Sequence, residues 1–111
     1  MIERGRVCWA EAPGPGTGGG RQPVVVVQAD PFNRSRIPTV LVVPLTANLR
    51  LAPAPGNVRV PAARSGLQRE TVAQVAQVLT LERRHLRPTS ARIDGDLAQS
   101  IDEGLRLSLG L

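Results

Sequence analysis

The stretch Gly18–Thr46, GGGRQPVVVVQADPFNRSRIPTVLVVPLT, decides the fold. It holds a glycine loop ending in Arg21-Gln22-Pro23 and then the apolar run Val24 to Gln28. A polar turn, Asp30-Pro31-Phe32-Asn33-Arg34-Ser35, leads to a second apolar run, Thr39 to Leu45, which closes on Thr46. Both runs are β-branched almost throughout, the pattern of strands buried on both faces. An Arg/Gln pair opening one strand and a threonine closing the next can converge at one sheet edge. Chemistry is expected there.

Working outward, Arg6 to Glu11 predicts a first strand with Val7 and Trp9 on one face. Ala12 to Gly20, APGPGTGGG, is too rich in glycine for regular structure and predicts a surface loop. Beyond the central hairpin, Ala47 to Gly56 reads as irregular, with one helical turn around Asn48-Leu49. Asn57 to Val60 alternates polar and apolar residues and predicts a short strand, followed by a loop from Pro61 to Arg69. Glu70 to Leu81, with its Thr and Val content, predicts one or two strands joined at a bend near Gln77. Glu82 to Leu86 predicts a helical turn and Thr89 to Ile93 a short edge strand. The last element is a helix with Asp94 as N-cap, an apolar stripe of Leu97, Ile101, Leu105 and Leu109, and an Asp102–Arg106 surface pair. The sum is a single domain over 1–111, mainly β with a C-terminal α-helix: a small β-barrel.

The formal charge is +5, and all 14 basic residues are arginines. Guanidinium groups bind phosphate bidentately and stay charged at any working pH, so the composition points to an anionic partner. A GC-rich genome would equally account for the missing lysine, while leaving the charge intact. A domain of this size buries only about two thirds of its unfolded surface, so a partner subunit would add stability. The one cysteine, Cys8, excludes an internal disulfide and fits a reducing compartment; between Val7 and Trp9 it reads as core. One Cys and one His are too few for a zinc site of ordinary ligand count within one chain. No membrane span or signal-peptide core is evident, so a cytoplasmic location is expected.

Several chemistries drop out. Trp9 and Phe32 are too few aromatics for a base-stacking sheet of the usual RNA-binding kind, so any nucleic-acid binding must lean on arginine and backbone groups. The glycine run lacks the Gly-Lys-Ser/Thr ending of a nucleotide-binding P-loop. His85, in the turn ERRHL, reads as a bystander. Arg21 and Thr46 form the better pair. An arginine can hold a scissile phosphate, and a threonine hydroxyl can donate to the same group. RNA supplies its own nucleophile, the 2′-hydroxyl, so cleavage needs neither metal nor histidine. Solvated arginine and strand-ending threonine remain the alternative.

The ordered run of Arg4-Gly5 with the Val-x-Trp strand, Pro23-Val-Val-Val-Val-Gln28-x-Asp30, Phe32-Asn33-Arg34-Ser35, Val43-Pro44-Leu45-Thr46-x-Asn48, Pro55-Gly56-Asn57-Val58, Gly66-Leu67, Val75-x-Gln77-Val78 and Leu107-Ser-Leu-Gly-Leu111 resembles the MazF/PemK family of toxin endoribonucleases. The resemblance covers essentially the whole chain. It implies an SH3-like barrel of the CcdB/PemK type acting as a homodimer. It also implies cofactor-free, metal-independent cleavage of single-stranded RNA to 2′,3′-cyclic phosphate and 5′-hydroxyl ends. The implied partner is a MazE-like antitoxin with an acidic C-terminal tail. Arg21, Gln22 and Thr46 are the implied catalytic residues, and Gly19, Gly20, Asn33, Arg34, Asn48 and Gln77 the implied RNA contacts. The family carries arginine directly before the strand-opening proline, where this chain has Gln22. Arg21 can replace that group only if the glycine loop turns it inward, since neighbours in an extended segment point to opposite sides. The family's loop acid is also absent; Gly16-Thr17-Gly18 stands in its place. Two other readings stay open: a non-cutting module that binds antitoxin or RNA, favoured by Gln22, and a CcdB-like gyrase poison.

Overall fold

The computed structural model describes residues 1–11 and 20–111. Most of the expected Ala12–Gly20 loop therefore lies outside the described residues. The strands are β1 (Arg6–Glu11), β2 (Arg21–Val26), β3 (Thr39–Thr46), β4 (Val58–Val60), β5 (Thr71–Ala73), β6 (Leu79–Glu82) and β7 (Leu86–Arg92). The helices are α1 (Asp30–Asn33), α2 (Ala62–Ser65) and α3 (Gly95–Leu109), with single 3-10 turns at Leu49–Leu51 and Arg83–His85. Every pairing is antiparallel, in the order β4-β5-β3-β2-β1-β7, with β6 also on β3.

Strand β3 is the spine. One of its edges takes β2; the other is divided between β6, opposite Thr39–Val42, and β5, opposite Leu45 and Thr46. Because the sheet is covered on both sides, alternate valines feed two cores. Val7, Val25, Val27, Val43 and Leu45 pack against Val60, Ala73, Val75, Ile93 and the α3 residues Ile101 and Leu105. Cys8, Ala10, Val24, Val26, Val40 and Val42 fill the other side together with Leu86. Leu86 comes from β7 and Val40 from β3, which lie apart in the strand order, so the sheet must curl for them to meet. This is the mainly β, curled architecture with a C-terminal helix that the valine runs predict. Burial pushes the Cys8 thiol up to about 11, against the opposing pull of the N-terminal ammonium and Arg6; the residue is core, as expected.

The structure refines several local expectations. The Asp30–Ser35 turn contains α1, with a proline in its first turn as helix starts favour. The Pro61–Arg69 loop contains α2, closed by Gly66 at φ 75° in the left-handed region. The edge strand at Thr89–Ile93 is longer than expected and begins at Leu86. Glu70–Leu81 does form two strands, β5 and β6, with the bend between them. Two helix expectations change. Asp102 does not pair with Arg106; its carboxylate accepts from Arg4 Nη2 at 2.7 Å. In the apolar stripe Ile101 and Leu105 are buried, but Leu109 stands 57% exposed beside Leu107 and Leu111. A four-residue spacing drifts about 40° per step around a 3.6-residue helix, so Leu109 lies about 120° from Leu97.

Candidate active site

Three strand ends meet at one end of the sheet. β1 ends and β2 begins at the paired residues Glu11 and Arg21, followed by Ala10↔Gln22 and Trp9↔Pro23. β2 and β3 are in register at Val24↔Pro44. Continuing that register by two residues sets Gln22 opposite Thr46. Side-chain alternation then places Gln22 and Thr46 on one face and Arg21 on the other. Arg21 is held there by Trp9: its Cζ lies 5.0 Å from the ring centroid, a cation–π contact. The expected convergence of Arg21 with Thr46 is therefore not what the strands provide. Regular pairing starts at Arg21 itself, so the chain does not rotate that residue toward Thr46; Gln22 takes the place.

The Thr46 hydroxyl is oriented by the turn that follows it. Its Oγ1 accepts from Asn48 N at 3.1 Å, and Asn48 Oδ1 accepts from Arg50 N at 3.2 Å to cap the 3-10 turn. With a lone pair committed to the turn, the hydroxyl hydrogen is the part left to donate to a ligand. Asn48 and Arg50 are both exposed beside it.

The other expected contacts divide. Asn33 is buried and fully engaged: its Nδ2 donates to Gln28 O at 2.8 Å and Asp30 Oδ1 at 3.1 Å, and its Oδ1 accepts from Gln28 Nε2 at 2.9 Å. Asp30 completes the clasp by accepting from Arg4 N at 2.7 Å, and that bond, with the one from Asn33, holds its carboxyl below the usual range. Asn33 thus shapes the turn, and Arg34 beside it is exposed. Gln77 is exposed in the bend between β5 and β6, its backbone N–H donating to Gln74 O. Gly20 is exposed at the start of β2, and Gly19 lies outside the described residues. His85 sits in its 3-10 turn with Nδ1 3.6 Å from Glu82 Oε2, as a bystander would. Among the described residues, no group of three or more His, Cys, Asp or Glu is gathered as a metal ion would require.

Sequence reasoning missed a cavity on the Trp9 face. It has a volume of about 560 Å³ and is walled by Trp9, Pro23, Leu45 and Leu67, with Arg69 and Thr71 among its polar lining. The α2–β5 connection supplies one wall, a contribution that no local pattern in Pro61–Arg69 announces. Arg87, opposite Trp9 on β7, pairs with Glu11 at 3.6 Å and adds charge nearby.

Comparison with known proteins agrees with this architecture. Residues 3–109 match the family described as PemK-like, MazF-like toxin of type II toxin–antitoxin system. The chain is 38% identical over 114 residues to endoribonuclease MazF6 of Mycobacterium tuberculosis, covering 100% of this chain and 99% of the relative. It is 34% identical over 113 residues to endoribonuclease EndoA of Bacillus subtilis, covering 100% and 97%. Among solved structures, an endoribonuclease in complex with its cognate antitoxin from a mycobacterial species superposes with a TM-score of 0.80 at 22% identity, covering 100% and 97%. The MazE–MazF complex of Deinococcus radiodurans gives a TM-score of 0.80 at 22% identity, covering 99% and 97%. With family-wide coverage and full-length relatives above one third identity, the chain belongs to the PemK-like, MazF-like toxins of type II toxin–antitoxin systems.

Proposed function

We propose that this toxin cleaves single-stranded RNA in the cytoplasm, and that the scissile phosphate sits over Gln22 and Thr46. The observation that carries the reading is the β2–β3 register, which continued from Val24↔Pro44 sets these two residues on one face, in a chain of net charge +5. Thr46 Oγ1 and the Gln22 amide donate to the non-bridging phosphate oxygens as charge builds on them. The 2′-hydroxyl oxygen of the substrate forms the new bond to phosphorus, and the bond to the 5′ oxygen breaks. The 2′ proton passes to solvent and the leaving oxygen takes one from solvent. The products are a 2′,3′-cyclic phosphate and a 5′-hydroxyl, and no metal enters the scheme. Arg34 and Asn48 flank the path of the RNA, and Gln77 contributes from the β5–β6 bend.

The net charge of +5 suits both RNA and an acidic antitoxin tail competing for the same face. Leu107, Leu109 and Leu111, exposed at 62%, 57% and 86%, give α3 an apolar end that a second copy of the chain would cover, in keeping with a homodimer.

The test is incubation with a long single-stranded RNA in excess chelator, beside Thr46→Ala. Discrete fragments with 5′-hydroxyl ends, absent from the variant, are expected. Intact RNA from folded protein would instead favour a binding module that has lost cutting, a reading supported by the neutral Gln22 in the catalytic position.

A further inference from the structure

We propose that Asn57 is a positioning residue for the Thr46 hydroxyl: its amide ties the turn that orients Thr46 to the bend between β5 and β6. This role rests on the cleavage reading above, in which Thr46 donates to the scissile phosphate.

The loop from Ala47 to Gly56 is largely self-contained. Leu51 N donates to Asn48 O, Ala52 N to Leu49 O and Ala54 N to Leu51 O, all within the loop. Residues 47–50 and 53–55 are exposed, so packing does little to hold them in place. Yet the Asn48 N–H of this loop is the group bonded to Thr46 Oγ1, at 3.1 Å. A half-buried threonine at a strand end has more than one staggered rotamer open to it. The aim of its hydroxyl therefore depends on where the loop is held.

Asn57 holds it. Its Nδ2 donates at 2.9 Å to the carbonyl of Leu51, the last residue of the 3-10 turn, and its Oδ1 accepts from Val75 N at 3.1 Å. Among the described residues, no side chain other than those of Asn57 and Thr46 hydrogen-bonds this loop to the rest of the chain. The far end of the bridge is fixed. Val75 is fully buried, and its carbonyl accepts from Ser108 Oγ of α3 at 3.1 Å. Next to it, Gln74 N donates at 3.1 Å to the carbonyl of Pro44, two residues before Thr46 on β3. The bonds thus close a ring from β3 through the bend, Asn57 and the turn back to Thr46. The bridge needs a donor and an acceptor on one planar group, which a primary amide supplies and an ionised carboxylate does not.

That difference gives the test. Asn57→Asp keeps the shape and the acceptor for Val75 N, but turns a repelling oxygen toward Leu51 O. At neutral pH the single-turnover rate at saturating RNA in chelator should fall about ten-fold, with KM within about two-fold of native. As pH falls, the carboxyl takes up a proton that can bond Leu51 O, so the ratio of variant to native rates should climb back toward unity. Glu103, which lines the cleft beside Asn57, and Arg50 in the turn are present in both proteins, so the ratio isolates position 57. Asn57→Ala has no such proton and should show the loss without the acid recovery. Three-bond NMR couplings of Thr46 should report one χ1 rotamer in the native protein and an average in Asn57→Asp at neutral pH. Both substitutions should lower Tm, so rates and couplings are taken where each variant is folded. Folded variants with native rate and native Thr46 couplings overturn the proposal and leave Asn57 a prop of the loop. A rise in KM at unchanged rate overturns it too, as does acid recovery shared by Asn57→Ala. A native protein that cuts no RNA removes the cleavage reading separately, and the Thr46 couplings then decide the positioning alone.

Discussion

Replacing Gln22 with arginine should speed RNA cleavage, because it puts a cation on the face that already holds Thr46. The register fixes this geometry: Val24 opposite Pro44 brings position 22 across from Thr46, while position 21 is spent on Trp9. A neutral donor to a developing oxyanion contributes about 0.5–1.5 kcal/mol net and a charged donor about 1.5–3 kcal/mol. The difference, about 1–1.5 kcal/mol, corresponds to roughly a ten-fold rise in rate. Gln22 is exposed, so solvent screening keeps the gain toward the lower end. Single-turnover cleavage at saturating RNA in chelator reads the chemical step. Arg21→Ala serves as the counterpart: it should raise KM and lower the salt dependence of binding by about one unit, with kcat largely retained. If Arg21→Ala abolishes the single-turnover rate while Gln22→Arg leaves it unchanged, strand alternation does not govern this site and the assignment of faces is wrong.

Three further outcomes follow from the fold. In Gly104→Ala, the new Cβ would lie 2.2 Å from Gly56 O, a backbone atom that cannot step aside. A loss of about 1–3 kcal/mol is expected, lowering Tm by about 4–8 °C per kcal/mol in a thermal melt; an unchanged Tm would mean that α3 is not docked on that loop. The Cys8 thiol, raised to about 11 by burial, should resist iodoacetamide at pH 8 in native protein and react only on unfolding; rapid alkylation by mass spectrometry would contradict its place in the core. The Asp30 carboxyl is held below its ordinary value by the Arg4 N–H and the Asn33 amide, so the folded state binds its proton later than the unfolded chain. Its contribution is present above the unfolded value of about 4 and is lost as pH falls through the lower folded value. Asp30→Asn should flatten that acid-side loss in urea melts; an identical pH dependence would show that the clasp does not depend on charge.

The strands were legible because their residues leave little choice. Val24–Val27 and Val40–Val43 are apolar at consecutive positions, which only a doubly covered strand or a buried helix accommodates, and β-branching selects the strand. Partner choice was not legible. Asp102 has Arg106 at the favourable helical spacing, yet the folded chain brings Arg4 to it from 98 residues away. Asn33, polar and in a turn, looks like a ligand contact until the Gln28 side chain is seen to close over it. The same limit explains the missed cavity. Trp9, Leu67 and Thr71 share no periodicity, and they come together only because β1, the α2–β5 connection and β5 converge at one end of the sheet.

The misplaced arginine shows how a one-residue question becomes a question about mechanism. Arg21 and Gln22 are adjacent, so composition, charge and local propensity treat them alike; only the pairing of β2 with β1 and β3 decides which reaches Thr46. Exchanging them, Arg21→Gln with Gln22→Arg, tests this with composition and net charge held fixed. The guanidinium moves to the Thr46 face, where kcat should rise about ten-fold by the charged-donor argument above. Trp9 loses its cation–π partner, worth about 0.5–1 kcal/mol at an exposed site, so KM should rise by roughly two- to five-fold. A general gain in basicity would move neither parameter, because the total charge is the same. A rise in kcat together with a rise in KM in the exchanged protein therefore identifies the two faces as separate devices, one for the phosphate and one for its flank. Kinetics indistinguishable from the native chain would mean that the long arginine side chain reaches around the strand end from either position, and that alternation carries no functional weight here.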